Sequence, residues 1–109
     1  MGKFVITKDK SGQFRFSLKA SNGQEILGSE AYKTKSACEN GIASVQKNSQ
    51  NDALYERKMA RDGSPYFNLK ATNGQVIGTS EMYKTTAAME NGIASVKKNA
   101  AGASVEDKS

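Results

Sequence analysis

Phe14, Phe16 and Leu18 alternate with Arg15, Ser17 and Lys19, a period of two that predicts a half-buried β-strand. The segment Lys3 to Lys8 before it is strand-like, and Asp9-Lys10-Ser11-Gly12 supplies the turn between them. Asn22-Gly23 then offers the positive φ angles of a type I′ hairpin turn leading into a third short strand around Ile26. From Thr34 the period changes. Thr34 reads as an N-cap, because Cys38, Gly41, Ile42 and Val45 then share one face of a helix running to about Asn48. A glycine in mid-helix costs roughly 1 kcal/mol relative to alanine, so Gly41 is read as permitting close approach of a neighbouring element.

The same pattern follows a second time. Sliding the chain by 51 residues aligns Phe16-Ser17-Leu18-Lys19-Ala20-Ser21-Asn22-Gly23-Gln24 with Phe67-Asn68-Leu69-Lys70-Ala71-Thr72-Asn73-Gly74-Gln75 without a gap. From 16 to 48, 23 of 33 positions are identical to their partners, whereas from Phe4 to Arg15 only Gly12 matches. The predicted strands of the second unit are Leu54 to Met59, Tyr66 to Lys70 and Val76-Ile77. Pro65 lies at a strand edge or turn, and Thr85 opens a helix that buries Met89, Gly92, Ile93 and Val96. The organisation is therefore one domain over 1–109: repeat one at 3–48, a linker at 49–53, repeat two at 54–99, and a small, polar, flexible tail at 100–109.

A β-β-β-α unit of this size leaves an unpaired sheet edge and a half-covered apolar face. Two units joined around a pseudo-twofold axis cure each other, which predicts an α+β fold: one six-stranded antiparallel sheet with two helices on one face. A monomer suffices. Phe4 and Ile6 align with Tyr55 and Arg57, so the opening strands of the two halves are expected to differ in exposure.

Composition narrows the chemistry. The 109 residues contain no His, no Trp and one Cys, which removes the usual ligands and bases of zinc sites, His-assisted nucleophiles and disulfide frameworks. No cofactor or metal is predicted. Sixteen Lys and Arg against eleven Asp and Glu give +5, enough for weak association with polyanions, yet the charge is spread and no polybasic run occurs. The first apolar run, Phe4-Val5-Ile6, is far below the ~7–15 residues of a secretion signal. Ile6 stands where a myristoylation motif needs Ser or Thr, and no stretch approaches the ~20 apolar residues of a membrane span. A cytoplasmic protein is expected.

Three motifs occur twice and in order: Phe-x-Leu-Lys-Ala-x-Asn-Gly, Ser-Glu-x-Tyr-Lys-Thr and Asn-Gly-Ile-x-Ser-Val-x-Lys-Asn. On these the chain resembles a duplicated member of the YegP-like family of uncharacterised bacterial proteins, over Phe4 to Asn99. The resemblance implies two β-β-β-α units sharing one antiparallel sheet, each helix swapped toward the other unit's strands, in a bacterial cytosol. It carries over no activity, cofactor or binding residue.

Four features invite a chemical reading. Cys38 is the only thiol, but it lies on the apolar helix stripe and aligns with Met89, so packing accounts for it better than catalysis. Glu30 and Glu81 are the most enzyme-like pair, since a twofold axis brings equivalent carboxylates together and paired carboxylates can separate into acid and base; the plainer role is at a strand end. Asn40 and Asn91 project away from the apolar stripe and form a candidate partner face presented twice. The sheet face opposite the helices is expected to expose Arg15, Lys19, Tyr66 and Lys70. Basic groups beside an aromatic ring on an open sheet fit weak, sequence-nonspecific nucleic-acid binding. The sequence reading is a non-enzymatic binding or interaction module, with a protein or polyanion as its partner.

Overall fold

The computed structural model describes residues 2–109; Met1, which opens the stretch read above for export signals, lies outside the described residues. In repeat one, β1 (Lys3–Lys8), β2 (Phe14–Lys19) and β3 (Glu25–Gly28) precede α1 (Lys35–Asn48). A 3-10 turn (Asp52–Leu54) leads into β4 (Tyr55–Met59), β5 (Pro65–Lys70), β6 (Val76–Thr79), α2 (Thr86–Ala100) and a last strand, β7 (Ser104–Asp107). Thr34 and Thr85 cap the two helices, their hydroxyls accepting from the amides of Ala37 and Ala88 at 3.0 Å.

The sheet runs β4-β5-β6-β3-β2-β1-β7. The repeats meet at β3 and β6, antiparallel, through the pair Gly28 and Thr79. Both helices lie on one face. Each leans mainly on strands of the other repeat, α1 on β5 and β6 and α2 on β1, β2 and β3, while keeping contact with β2 or β5 of its own. Between the layers Phe4, Phe16, Leu18, Leu27, Val45, Phe67, Leu69 and Val96 are fully buried in one core.

Two expectations are corrected. The sheet has seven strands and is mixed, because residues 104–107, read from sequence as part of a flexible tail, run parallel to β1 from Lys3 opposite Ser104 to Ile6 opposite Asp107. Lys35 donates to Asp107 at 2.6 Å and Lys3 pairs with Glu106 at 2.9 Å, fixing the new strand on both faces. This strand also accounts for the divergence of the opening strands. With β7 outside it, β1 is an interior strand and buries Phe4, Val5 and Ile6. Its counterpart β4 ends the sheet, exposing Arg57, Lys58 and Met59, and charged side chains discourage unwanted pairing at an edge.

The second correction concerns the hairpins. Positive φ falls on Gly12, Gly23, Gly63 and Gly74, at 84–87°, and among the described residues on no non-glycine. Asn22 and Asn73 are thus not left-handed, as type I′ would require. Gly23 donates to the carbonyl of Ala20, and Ala20 donates to Gln24, both at 2.9 Å. That is a type I turn closed by a bulged glycine, with Asn22 Oδ1 accepting from the Gln24 amide at 3.0 Å.

Candidate functional site

Beyond β3 the backbone stays beside β2 but loses strand geometry, and Ser29 repairs the ladder. Its hydroxyl accepts from the Phe16 amide at 2.9 Å and donates to the Glu30 carbonyl at 2.7 Å. Ser80 does the same for Phe67 and Glu81 at 3.0 and 2.8 Å. This seam aims Tyr32 and Tyr83 back over the sheet, where each ring stacks on its Phe16 or Phe67 neighbour at 6.2 or 6.4 Å between centroids. Burial, with the charge of Glu30 or Glu81 added, raises both phenols above their ordinary value. The repeated Ser-Glu-x-Tyr string is in this respect architectural.

Glu30 and Glu81 themselves are exposed. Neither carboxylate enters a hydrogen bond or ion pair among the described residues, whereas an acid–base pair needs one carboxyl shielded from water. Cys38 is fully buried, and burial pushes its thiol upward, away from the thiolate.

Arg15, Lys19, Tyr66 and Lys70 share the open face of the sheet but do not form one site. Arg15 and Lys19 stand on β2 and Tyr66 and Lys70 on β5, with β3 and β6 between them, a separation of about 14 Å at ~4.8 Å per strand. Arg15 is held by Asp9 at 3.4 Å and Lys70 by Glu56 at 3.1 Å. The Lys3–Glu106 pair lies on the same face, so much of its positive charge is answered within the chain.

The helix face is different. The end of α2 in repeat two lies beside the β2–β3 turn of repeat one, and between them runs a cleft of about 450 Å³. Asn22, Asn91, Ser95, Lys98 and Asn99 line it, with Ala20 and Ala94 as small floor residues. Two of these asparagines do structural work. Asn22 forms the turn bond already described, and Asn99, buried, donates to the Ser95 carbonyl at 2.8 Å. Asn91 is exposed in mid-helix, and its side chain makes no hydrogen bond within the chain among the described residues. Lys98 likewise has no carboxylate partner there, and no acidic residue lines the cleft. Asn40, the counterpart of Asn91, is exposed in the same way on α1.

The resemblance implied a helix swapped toward the other unit, but the cleft between α2 and the other repeat's turn is invisible to periodicity, which singled out Asn91 from its helical position alone. The signal that was present is internal. At the eight lining positions only Ser21 differs from its counterpart in the other unit, Thr72.

Comparison with known proteins agrees with the duplicated fold. A family model described as a domain of unknown function (DUF1508) matches twice, at 9–56 and 60–107. The two stretches are offset by the same 51 residues, and each begins before β2 or β5 and ends within β4 or β7. The UPF0339 protein of Acinetobacter baylyi is 57% identical over 106 residues, 97% of this chain and 96% of that one. The solution structure of YegP from Escherichia coli, a protein of unknown function, superposes with a TM-score of 0.94 at 51% identity, covering 98% of this chain and 92% of that one. That of the UPF0339 protein of Shewanella oneidensis gives 0.92 at 50% identity, covering 97% and 90%. With both halves matched and half or more of the residues shared along nearly the whole length, the chain belongs to the UPF0339 (YegP) family of tandem DUF1508 proteins.

Proposed function

We propose that this chain is a non-enzymatic binding module, a cytoplasmic monomer whose contact surface is the cleft between α2 and the β2–β3 turn. Asn91 carries the reading. An asparagine in a helix interior costs roughly 0.5 kcal/mol relative to alanine, and Asn91 recovers none of it through a bond within the chain. A residue that breaks a local rule without structural return is expected where function requires it. Its repetition as Asn40 supports a surface presented twice. Monomeric action is supported by the closure of the inner edges, β3 and β6, within one chain.

A photo-crosslinking amino acid placed at Asn91, and separately at Ser17 on the open sheet face, tests this in the producing bacterium. A protease-sensitive adduct from position 91 and none from 17 supports the helix cleft. Adducts from position 17 alone overturn it.

The open face supports a second reading, weak and sequence-nonspecific nucleic-acid binding. Lys19 and Lys58 stand on it with no carboxylate in ion-pair range among the described residues, and Tyr66 offers one ring. That reading requires a nuclease-sensitive adduct from position 17 and an affinity that falls steeply with salt.

A further inference from the structure

We infer that the α2 cleft takes an extended acidic peptide segment of a partner protein, with Asn91 reading its main chain and Lys98 its carboxylate. The inference rests on the cleft being the contact surface. Lys98 is the one charged residue in the lining among the described residues, so the complementary ligand is an anion. Asn91 and Lys98 are seven residues apart on one helix, about 10 Å along the axis at 1.5 Å per residue, too far for one carboxylate or phosphate to meet both. An extended peptide covers that distance in about three residues at ~3.3 Å each. A carboxamide presents one donor and one acceptor arm, the complement of a peptide group. The small floor, Ala20 and Ala94, lets a backbone approach. No aromatic side chain lines the cleft, so nucleic-acid bases find no stacking platform there. Asn40 and Lys47 repeat the pair on α1 at the same spacing.

The test is amide chemical-shift titration of the full chain with three probes: an end-blocked alternating Glu-Gly hexapeptide, its Gln-Gly counterpart, and a mixed single-stranded DNA oligonucleotide. The expected result is movement of Ser21, Asn91, Ser95 and Lys98 with the Glu peptide at several-fold lower concentration than with the Gln peptide. Asn91→Ala should weaken the Glu peptide about fivefold, the size of one net hydrogen bond, and Lys98→Gln should abolish the preference for Glu over Gln. Equal response to both peptides, or cleft shifts with DNA alone, overturns the acidic-peptide assignment and leaves the cleft as the binding surface. Absence of cleft shifts with all three overturns the ligand class if position 91 still crosslinks in the cell, and the binding surface as well if it does not.

Discussion

Tyr32 closes over Gly41: a Cβ at residue 41 would come within 2.5 Å of the tyrosine hydroxyl and 3.0 Å of the Phe16 ring. The repeated Tyr-Lys-Thr and Asn-Gly-Ile motifs are thus two sides of one contact, and Tyr83 over Gly92 is the same contact in repeat two. Alanine in a helix interior gains up to about 1 kcal/mol over glycine, but overpacking a filled core costs about 1–3 kcal/mol. Gly41→Ala should therefore lower stability by about 1 kcal/mol in urea denaturation. In a Tyr32→Ala background the tyrosine overlap is gone and only the 3.0 Å approach to Phe16 remains, so the same substitution should cost less. A loss undiminished in that background would rule out the tyrosine as its cause.

Ser29 and Ser80 stand in for missing backbone partners of Phe16 and Phe67. Replacing either with alanine strands an amide in the sheet, and an unmet buried donor costs about 1–3 kcal/mol. The loss should be larger for Ser80→Ala, since Ser80 is buried and Ser29 only half-buried. Equal, near-zero effects in thermal melts would mean that water replaces the hydroxyl at both seams.

The strands β1 to β6 and both helices were legible because β2 and the helices carry their own periods, turn residues bound the shorter strands, and the 51-residue register carries the reading into the second unit, with Thr34 and Thr85 announcing their caps locally. What was not legible depends on distant partners. β7 contains one apolar residue, Val105, and is held by β1 and by Lys3 and Lys35, some 70 to 100 positions earlier. One clue was available: extending the 51-residue register beyond Asn99 sets Val105-Glu106-Asp107 against Leu54-Tyr55-Glu56, the beginning of β4. The tail follows α2 as β4 follows α1. Seen this way, residues 9–56 and 60–107 are natural units, and the β-β-β-α reading is the same period cut one strand earlier. The serine seams stood in a repeated motif, but their role was not legible, because a hydroxyl that mends a ladder looks like any strand-end serine. Asn91 stood out as a polar helix residue, yet the turn that completes its cleft comes from the other repeat.

Cys38 is fully buried and its thiol is raised by burial, so the native chain should resist a thiol reagent that modifies the urea-unfolded chain at once. Modification at the unfolded rate under native conditions would contradict a packing role.

If Asn40 and Asn91 serve a partner and not the fold, removing them should help the fold. Asn91→Ala and Asn40→Ala should each raise stability by roughly 0.5 kcal/mol, the propensity difference at an exposed helix position, and the two should add because they sit on different helices. Destabilisation by either substitution would reveal a structural bond and withdraw the argument made for Asn91.

The C-terminal strand sets an acid response. The Lys35 ammonium beside Asp107 and the Lys3 ammonium beside Glu106 hold both carboxyls below their ordinary values. A carboxyl lowered on folding adds stability that is complete above its unfolded value, near 4, and is lost as pH falls through the lower folded value. Denaturation midpoints should therefore fall as pH drops below about 5. A chain ending at residue 103 should be less stable at neutral pH, because β1 becomes an exposed edge. It should also lose less on acidification, since both lowered carboxyls are gone. Parallel acid profiles for the intact and shortened chains would place the acid sensitivity in the pairs that remain, with Asp52 and Glu90 around Arg57 as the first to examine.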